Sequence, residues 1–220
     1  MKNLNKNELE DLINNISYGI IAMPENHDAL IEEEYVLGKK ILKLDALSNK
    51  ELANAYWKLD SNAFDNQPAP IFMKLDALIL GGCPILMMLP KEKTDPQLVK
   101  CLEAENLDYI PIGFLDLHKI ENGKFTASGL GIAKPYQGKG LSKYMIYGGA
   151  KIAGIKELYI PTQLSNKQVQ LAWAHLAPLE IVSSNVFHNK PDTVIYKTKI
   201  PEIKEEILKP IINCYSSSVP

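Results

Sequence analysis

The sequence predicts a single α/β or α+β sheet domain, and three observations carry that prediction. Two strand-like runs, "YIPIGFLDLHKI" and "KFTASGLGIA", flank an Asn122-Gly123 turn, which reads as a hairpin. A helical pattern over 141–153 and a further strand "ELYI" follow, so a hairpin feeds a strand-helix-strand unit. The chain has 220 residues, 46% of them hydrophobic and 23% charged, enough to bury one sizeable core in an ordinary globular composition.

The elements can be justified in chain order. Leu9, Leu12, Ile13 and Ile16 recur at helical spacing and predict a helix over Leu4–Ile16. An extended run "YGIIAM" follows, and Ile41, Leu42 and Leu44 in "KKILKLDAL" read as a strand. Ser48 and Glu51 then form a capping box, with Leu47 as a staple, opening a helix along Leu52, Ala55, Tyr56 and Leu59. "DNQPAP" is a loop by composition, and 71–80 fits either helix or strand, with helix preferred. "PILMMLP" reads as a buried strand, and "DPQLVKCLEAENL" as a short helix with Pro96 in its first turn. Gly154 closes the helix that begins at Leu141. A last helix is predicted from Ser165, with Ser165 and Gln168 as its capping box and Val169, Ala172, Trp173 and Leu176 on one face. The strands "EIVSSNVF" and "DTVIYKTKI" and a tail with at most a short helix complete the chain. No repeat or linker divides it, so one domain over 1–220 is expected.

Bulk properties narrow the function. A formal charge of −2 removes the simplest argument for a nucleic-acid partner. Cys83, Cys101 and Cys214 are odd in number and lack C-x-x-C spacing, which fits a reducing compartment rather than a disulfide or zinc framework. The N-terminus "MKNLNKNELEDLINNI" is unlike a signal peptide, and "ALILGGCPILMMLP" is too short and broken to span a bilayer. A cytoplasmic protein without a membrane partner is expected.

The chemistry concentrates in "AKPYQGKGLSK", where Gly138 and Gly140 stand at the doorway of a helix. Neither G-x-x-x-x-G-K-[ST] nor G-x-G-x-x-G is present. One reading is a plain turn. The other is an anion cradle: a helix N-terminus carries unpaired N–H groups and about half a positive charge, and glycines let an oxygen approach the backbone. Lys134, Lys139 and Lys143 would add charge.

Gln137-x-x-Gly140-x-Ser142, after a strand and before a helix, resembles the pyrophosphate loop of the GNAT superfamily of N-acetyltransferases, whose pattern is [RQ]-x-x-G-x-[GA]. Asn166, Val169 and Trp173 sit at the spacing of that family's N-x-x-A-x-x-x-Y helix. The resemblance covers about residues 109–200, with 1–108 a divergent N-terminal half and 201–220 a tail. It implies a mixed, mainly antiparallel central sheet flanked by helices, and acetyl-coenzyme A or another acyl-coenzyme A as cofactor. By the same resemblance, Gln137, Gly138, Lys139, Gly140, Leu141 and Ser142 would hold the diphosphate. Ile132, Ala133 and Lys134 would meet the pantetheine amides, and Asn166 and Trp173 would lie beside the cofactor. The implied reaction is direct attack by a small-molecule or peptide amine, with no covalent enzyme intermediate and no metal.

Three departures qualify the resemblance. Ser142 replaces a Gly or Ala, Trp173 stands where many members carry tyrosine, and "LAPLEIV" replaces a Leu-Gly-Phe turn. An indole N–H is no useful acid near neutral pH, so Trp173 reads first as a core anchor. Asp116 and His118 share a strand face with Ile112 and Phe114 and are candidate bases, although the strand end there also reads as an exposed hairpin. His175, beside Trp173, is a third candidate; His27 and His188 have no identifiable partner. Tyr144 reads as core, Tyr136 as a cofactor contact, and Cys83 as a buried thiol. Two alternatives to the enzyme remain open: a non-catalytic acyl-coenzyme A sensor or interaction module, and a fold in which the glycines merely start a helix.

Overall fold

A computed structural model describes residues 5–21, 34–44, 49–64, 82–174, 177–184 and 192–202. Its strands are β1 (Ser17–Ile21), β2 (Tyr35–Val36), β3 (Lys39–Leu44), β4 (Gly82–Pro90), β5 (Tyr109–Glu121), β6 (Lys124–Ile132), β7 (Glu157–Gln163), β8 (Glu180–Ser184) and β9 (Thr193–Lys199). The described helices are α1 (Lys6–Asn14), α2 (Lys50–Phe64), α3 (Pro96–Leu102), α4 (Leu141–Ile152) and α5 (Lys167–Ala174). The strands form one sheet in the order β2-β3-β1-β4-β5-β6-β7-β9-β8. Among the described strand pairs, β1·β3 and β6·β7 are parallel and the others run antiparallel.

Local chemistry sets the helix starts, with two differences from the expectations above. Asn5 and Glu8 form a capping box for α1. The α2 cap is Asn49, whose Oδ1 accepts from Leu52 N at 3.0 Å; Ser48 lies outside the described residues. Glu51 instead accepts from the Asn106 backbone N–H at 2.8 Å, tying α2 to the loop after α3. At α5 the helix begins at Lys167 rather than Ser165, because Asn166 O takes the first helical bond, from Gln170 N. The side chain of Gln168 and the segment 71–80 lie outside what is described.

The two main helices pack on opposite faces of the sheet. A Cβ on Gly131 would strike Phe114 and Ala63 of α2, whereas one on Gly149 of α4 would strike Leu115. Phe114 and Leu115 are neighbours on β5 and therefore point to opposite faces. The expected α2 stripe (Leu52, Ala55, Tyr56, Leu59) is buried, and so is every residue from Cys83 to Leu89 in β4. A strand buried on both faces needs such a continuous apolar run.

The cysteines give a first test. Burial pushes the Cys83 thiol up to about 12, while Cys101 is exposed. Because the thiolate is the reactive form, iodoacetamide at pH 8 should label Cys101 in the native protein. Cys83 should be labelled only after denaturation, as peptide mass mapping would read; native labelling of Cys83 would contradict the packing of β4.

Candidate functional site

β6 is the strand around which the candidate site is built. On one side it pairs with β5 over almost its whole length. On the other it pairs with β7 only at Lys124, Phe125 and Thr126, opposite Glu157, Leu158 and Tyr159. Beyond Tyr159, β7 turns its pairing to β9 alone, and the two parallel strands separate. The closed end is tied by Tyr159 and Lys197, which both reach Glu157, at 2.6 and 2.9 Å. The Tyr159 bond first, and Lys197 second, hold the Glu157 carboxyl below its usual range.

The opening starts at a β-bulge. Asp116 faces Gly129 and Leu117 faces Ala127, so Ser128 is the extra residue on β6. From there to Ile132 the edge of β6 runs about 13 Å at the usual rise of a strand. Ala133 N–H bonds Ile112 O at 2.8 Å, which fixes the alternation of the ladder. Odd-numbered residues therefore turn their main-chain groups to β5, and Leu130 and Ile132 turn theirs to the opening. Ile132 O is taken by Gln137 Nε2 at 2.9 Å.

The glycine loop closes the far end of that edge. Lys134–Tyr136 form one 3₁₀ turn, and α4 begins at Leu141. Gly138 and Gly140 have φ of +73° and +72°, the left-handed region open to glycine at least cost. A Cβ on Gly138 would meet nothing within 4 Å, so there the dihedral, not crowding, demands glycine. No side chain caps α4, and among the described residues the amides from Gly138 to Ser142 have no backbone acceptor. Among the described residues, the cap-like bond nearby is Lys143 N to Gly140 O. These are donors that an anion at a helix N-terminus would satisfy.

The rest of the loop is engaged in holding its shape. Gln137 Nε2 donates to Ala63 O as well as Ile132 O, and Lys134 N donates to Asn62 Oδ1 at 2.9 Å. The bonds to Ala63 and Asn62 latch the loop to the C-terminal end of α2. Lys139 Nζ folds back onto Pro135 O at 2.6 Å, and burial lowers its pKa. Tyr136, expected as a cofactor contact, accepts from Asp95 N at 2.9 Å and anchors the loop to the start of α3.

The site residues expected from the sequence fall into three groups. Gly138, Lys139, Gly140, Leu141 and Ser142 are brought together at the α4 N-terminus, and Ile132 lies on the open edge. Gln137, Ala133 and Lys134 adjoin it, with the Gln137 side chain and the Ala133 and Lys134 amides already bonded within the protein. Asn166 lies just before α5, and Trp173, 2% exposed, is a core side chain as its apolar face predicts. Tyr144 is likewise buried. Leu130 was missed by motif reasoning; its place on the edge depends on strand register, which no short motif records.

Asp116 and His118 are half-buried on the α2 face, and the expected exposed hairpin end begins beside them at Lys119. The bulge brings Ser128 back over β5, where its Oγ lies 3.1 Å from His118 Nε2 and 3.4 Å from Asp116 O. Tyr56 of α2 donates its hydroxyl to Asp116 Oδ1. His175, His27 and His188 lie outside the described residues. Among the described residues, no three His, Cys, Asp or Glu are grouped to hold a metal ion, and no helix is long and apolar enough to cross a membrane.

The mixed, mainly antiparallel sheet, with parallel strands that part beside a glycine-led helix, is a fold this chain shares with solved structures of low sequence identity. No protein-family model and no curated protein matches the chain. Among solved structures it is similar to a chain of the NatC complex bound to Gag peptide and CoA, at a TM-score of 0.50 and 16% identity, covering 72% of this chain and 96% of that one. It is also similar to the ribosomal-protein-S18-alanine N-acetyltransferase from Escherichia coli, at 0.47 and 13%, covering 74% and 94%. A GNAT family acetyltransferase from Elizabethkingia anophelis with acetyl-CoA bound scores 0.42 at 14% identity, covering 64% and 87%.

Proposed function

We propose that this protein is an N-acyltransferase that moves an acetyl or other short acyl group from acyl-coenzyme A to an amine. One observation carries the reading: the uncapped N-terminus of α4, presented by two left-handed glycines at the end of a strand edge that opens away from β7. A diphosphate there would accept from amides between Gly138 and Ser142, in the field of the helix dipole. An arm bearing two amides would lie along the Leu130–Ile132 edge as an added strand does. The carbonyl of the thioester would then reach the bulge at Ser128. Ordering donor and amine there supplies much of the rate without a covalent enzyme intermediate.

A second reading, binding without turnover, is favoured by Trp173. Its indole is buried where many members of the superfamily carry tyrosine, so it supplies no acid to the leaving sulfur. Calorimetry with coenzyme A and thiol release from acetyl-coenzyme A over a panel of amines separate the two. Stoichiometric binding with amine-dependent thiol release is the expected result. Binding without release on any amine would favour the sensor, and no binding at millimolar coenzyme A would overturn both.

A further inference from the structure

The α2 face of β6 is stripped of side chains where the strand borders the opening. Gly129 and Gly131 both turn toward α2, and the neighbouring strand β5 fills the space they leave. A Cβ on Gly131 would fall 2.4 Å from Phe114 Cε1, and one on Gly129 would fall 2.9 Å from Asp116 Oδ2. The Asp116 carboxylate thus leans from β5 over Gly129 of β6, the strand whose other edge parts from β7. Two aromatic contacts hold the adjoining ring of Phe114: Tyr56 and Phe64 both meet it edge-on, at 6.2 and 6.1 Å between centroids. The Tyr56 hydroxyl donates to the other oxygen of the same carboxylate.

We propose that Asp116 takes the proton of the acceptor amine and that Tyr56 is the positioning residue holding its carboxylate over Gly129. This rests on the acyl-coenzyme A reading of the opening. In the step, the amine nitrogen forms a bond to the thioester carbonyl carbon, the carbon–sulfur bond breaks, and the amine proton passes to the carboxylate. The departing thiolate takes a proton from solvent. Tyr56 suits a fixed donor rather than an acid. Burial first, and the Asp116 charge second, keep its phenol protonated well above the usual range. Its helix is the one latched to the glycine loop through Asn62 and Ala63, so donor loop and carboxylate share one rigid support.

Among the described residues, the groups facing the pair include Asp60 on α2, Cys83 on β4, His118 two residues along β5, and Ser128 on β6. A hydroxyl donating to a carboxylate favours its charged form. Removing that hydroxyl raises the carboxylate pKa, so activity is lost at higher pH as the solution is acidified. The test uses the full chain with acetyl-coenzyme A and four probes: tyramine, spermidine, glucosamine and a tripeptide with a free N-terminus. Kinetics are taken on the fastest.

Tyr56→Phe should keep coenzyme A affinity, lower kcat/KM about tenfold, and move the acid limb of its pH profile upward. The same displacement should persist in a His118→Gln background, which separates Asp116 from the neighbouring imidazole. Asp116→Asn, as the second variant, should lower kcat roughly a hundredfold and erase the limb. An unchanged rate and an unmoved limb in Tyr56→Phe would overturn the proposal. So would coenzyme A binding with no thiol release on any probe, although the cofactor reading would survive that result. Failure to bind coenzyme A would remove both.

Discussion

Gly148→Ala should cost about 3 kcal/mol of folding stability, although alanine is the better helix former by about 1 kcal/mol. Gly148 lies in the middle of α4, where an alanine would ordinarily be welcome. Here a Cβ would fall 2.1, 2.2 and 2.5 Å from Cζ, the hydroxyl oxygen and Cε1 of Tyr18. The ring has no exit: Tyr18 is 0% exposed, and its hydroxyl donates to Tyr144 O at 2.7 Å. Its strand is held by β3 on one side and β4 on the other. Interiors packed at crystal density cannot absorb such an overlap without moving backbone. Urea denaturation would measure the loss, and a double-mutant cycle would assign it. In a Tyr18→Ala background the same Gly148→Ala change should be neutral or stabilising. Equal costs in the two backgrounds would show that Tyr18 is not the obstacle.

Ser142→Asp should weaken coenzyme A binding by roughly 2 kcal/mol, about thirtyfold in Kd, while leaving the protein as stable as before or slightly more so. The two effects have opposite signs because they share one cause. A carboxylate in the first turn of α4 gains about 0.3–1 kcal/mol from the helix dipole and the unpaired amides, and it repels a diphosphate seeking the same donors. Ser142→Asn is the control, matching the shape without the charge. Calorimetry with coenzyme A and thermal melts of the free proteins give both readouts. If Asp and Asn weaken binding equally, charge at this helix end is not what the ligand reads, and the loop assignment fails. Substitutions at Gly138 or Gly140 are poorer probes, since their positive φ adds about 1–2 kcal/mol of strain to any charge effect.

Much of the frame could be read in advance. The β5–β6 hairpin, the buried β4, α3 with its proline start, and α4 ending at Gly154 all follow the expected patterns. Each is written in local terms: an Asn-Gly turn, an unbroken apolar run, a residue that opens or closes a helix. The errors are also local in kind. The cap of α2 moved from Ser48 to Asn49 because either side chain satisfies the rule, and only the backbone geometry chooses between them. The two glycines of the loop both adopt positive φ, and at Gly138, where a Cβ would meet nothing within 4 Å, the dihedral rather than crowding demands glycine.

That a glycine-led helix follows a hairpin strand is legible in the residues alone, since turn chemistry, period and helix-end charge act within a few positions. Folding of the whole chain was needed to part β6 from β7 after three paired residues, to make Gln137 a clasp, and to bring Tyr56 to Asp116. That last contact joins residues 60 positions apart. Strand register and packing depth set it, and they arise from the whole chain folding onto one core rather than from any short run of residues.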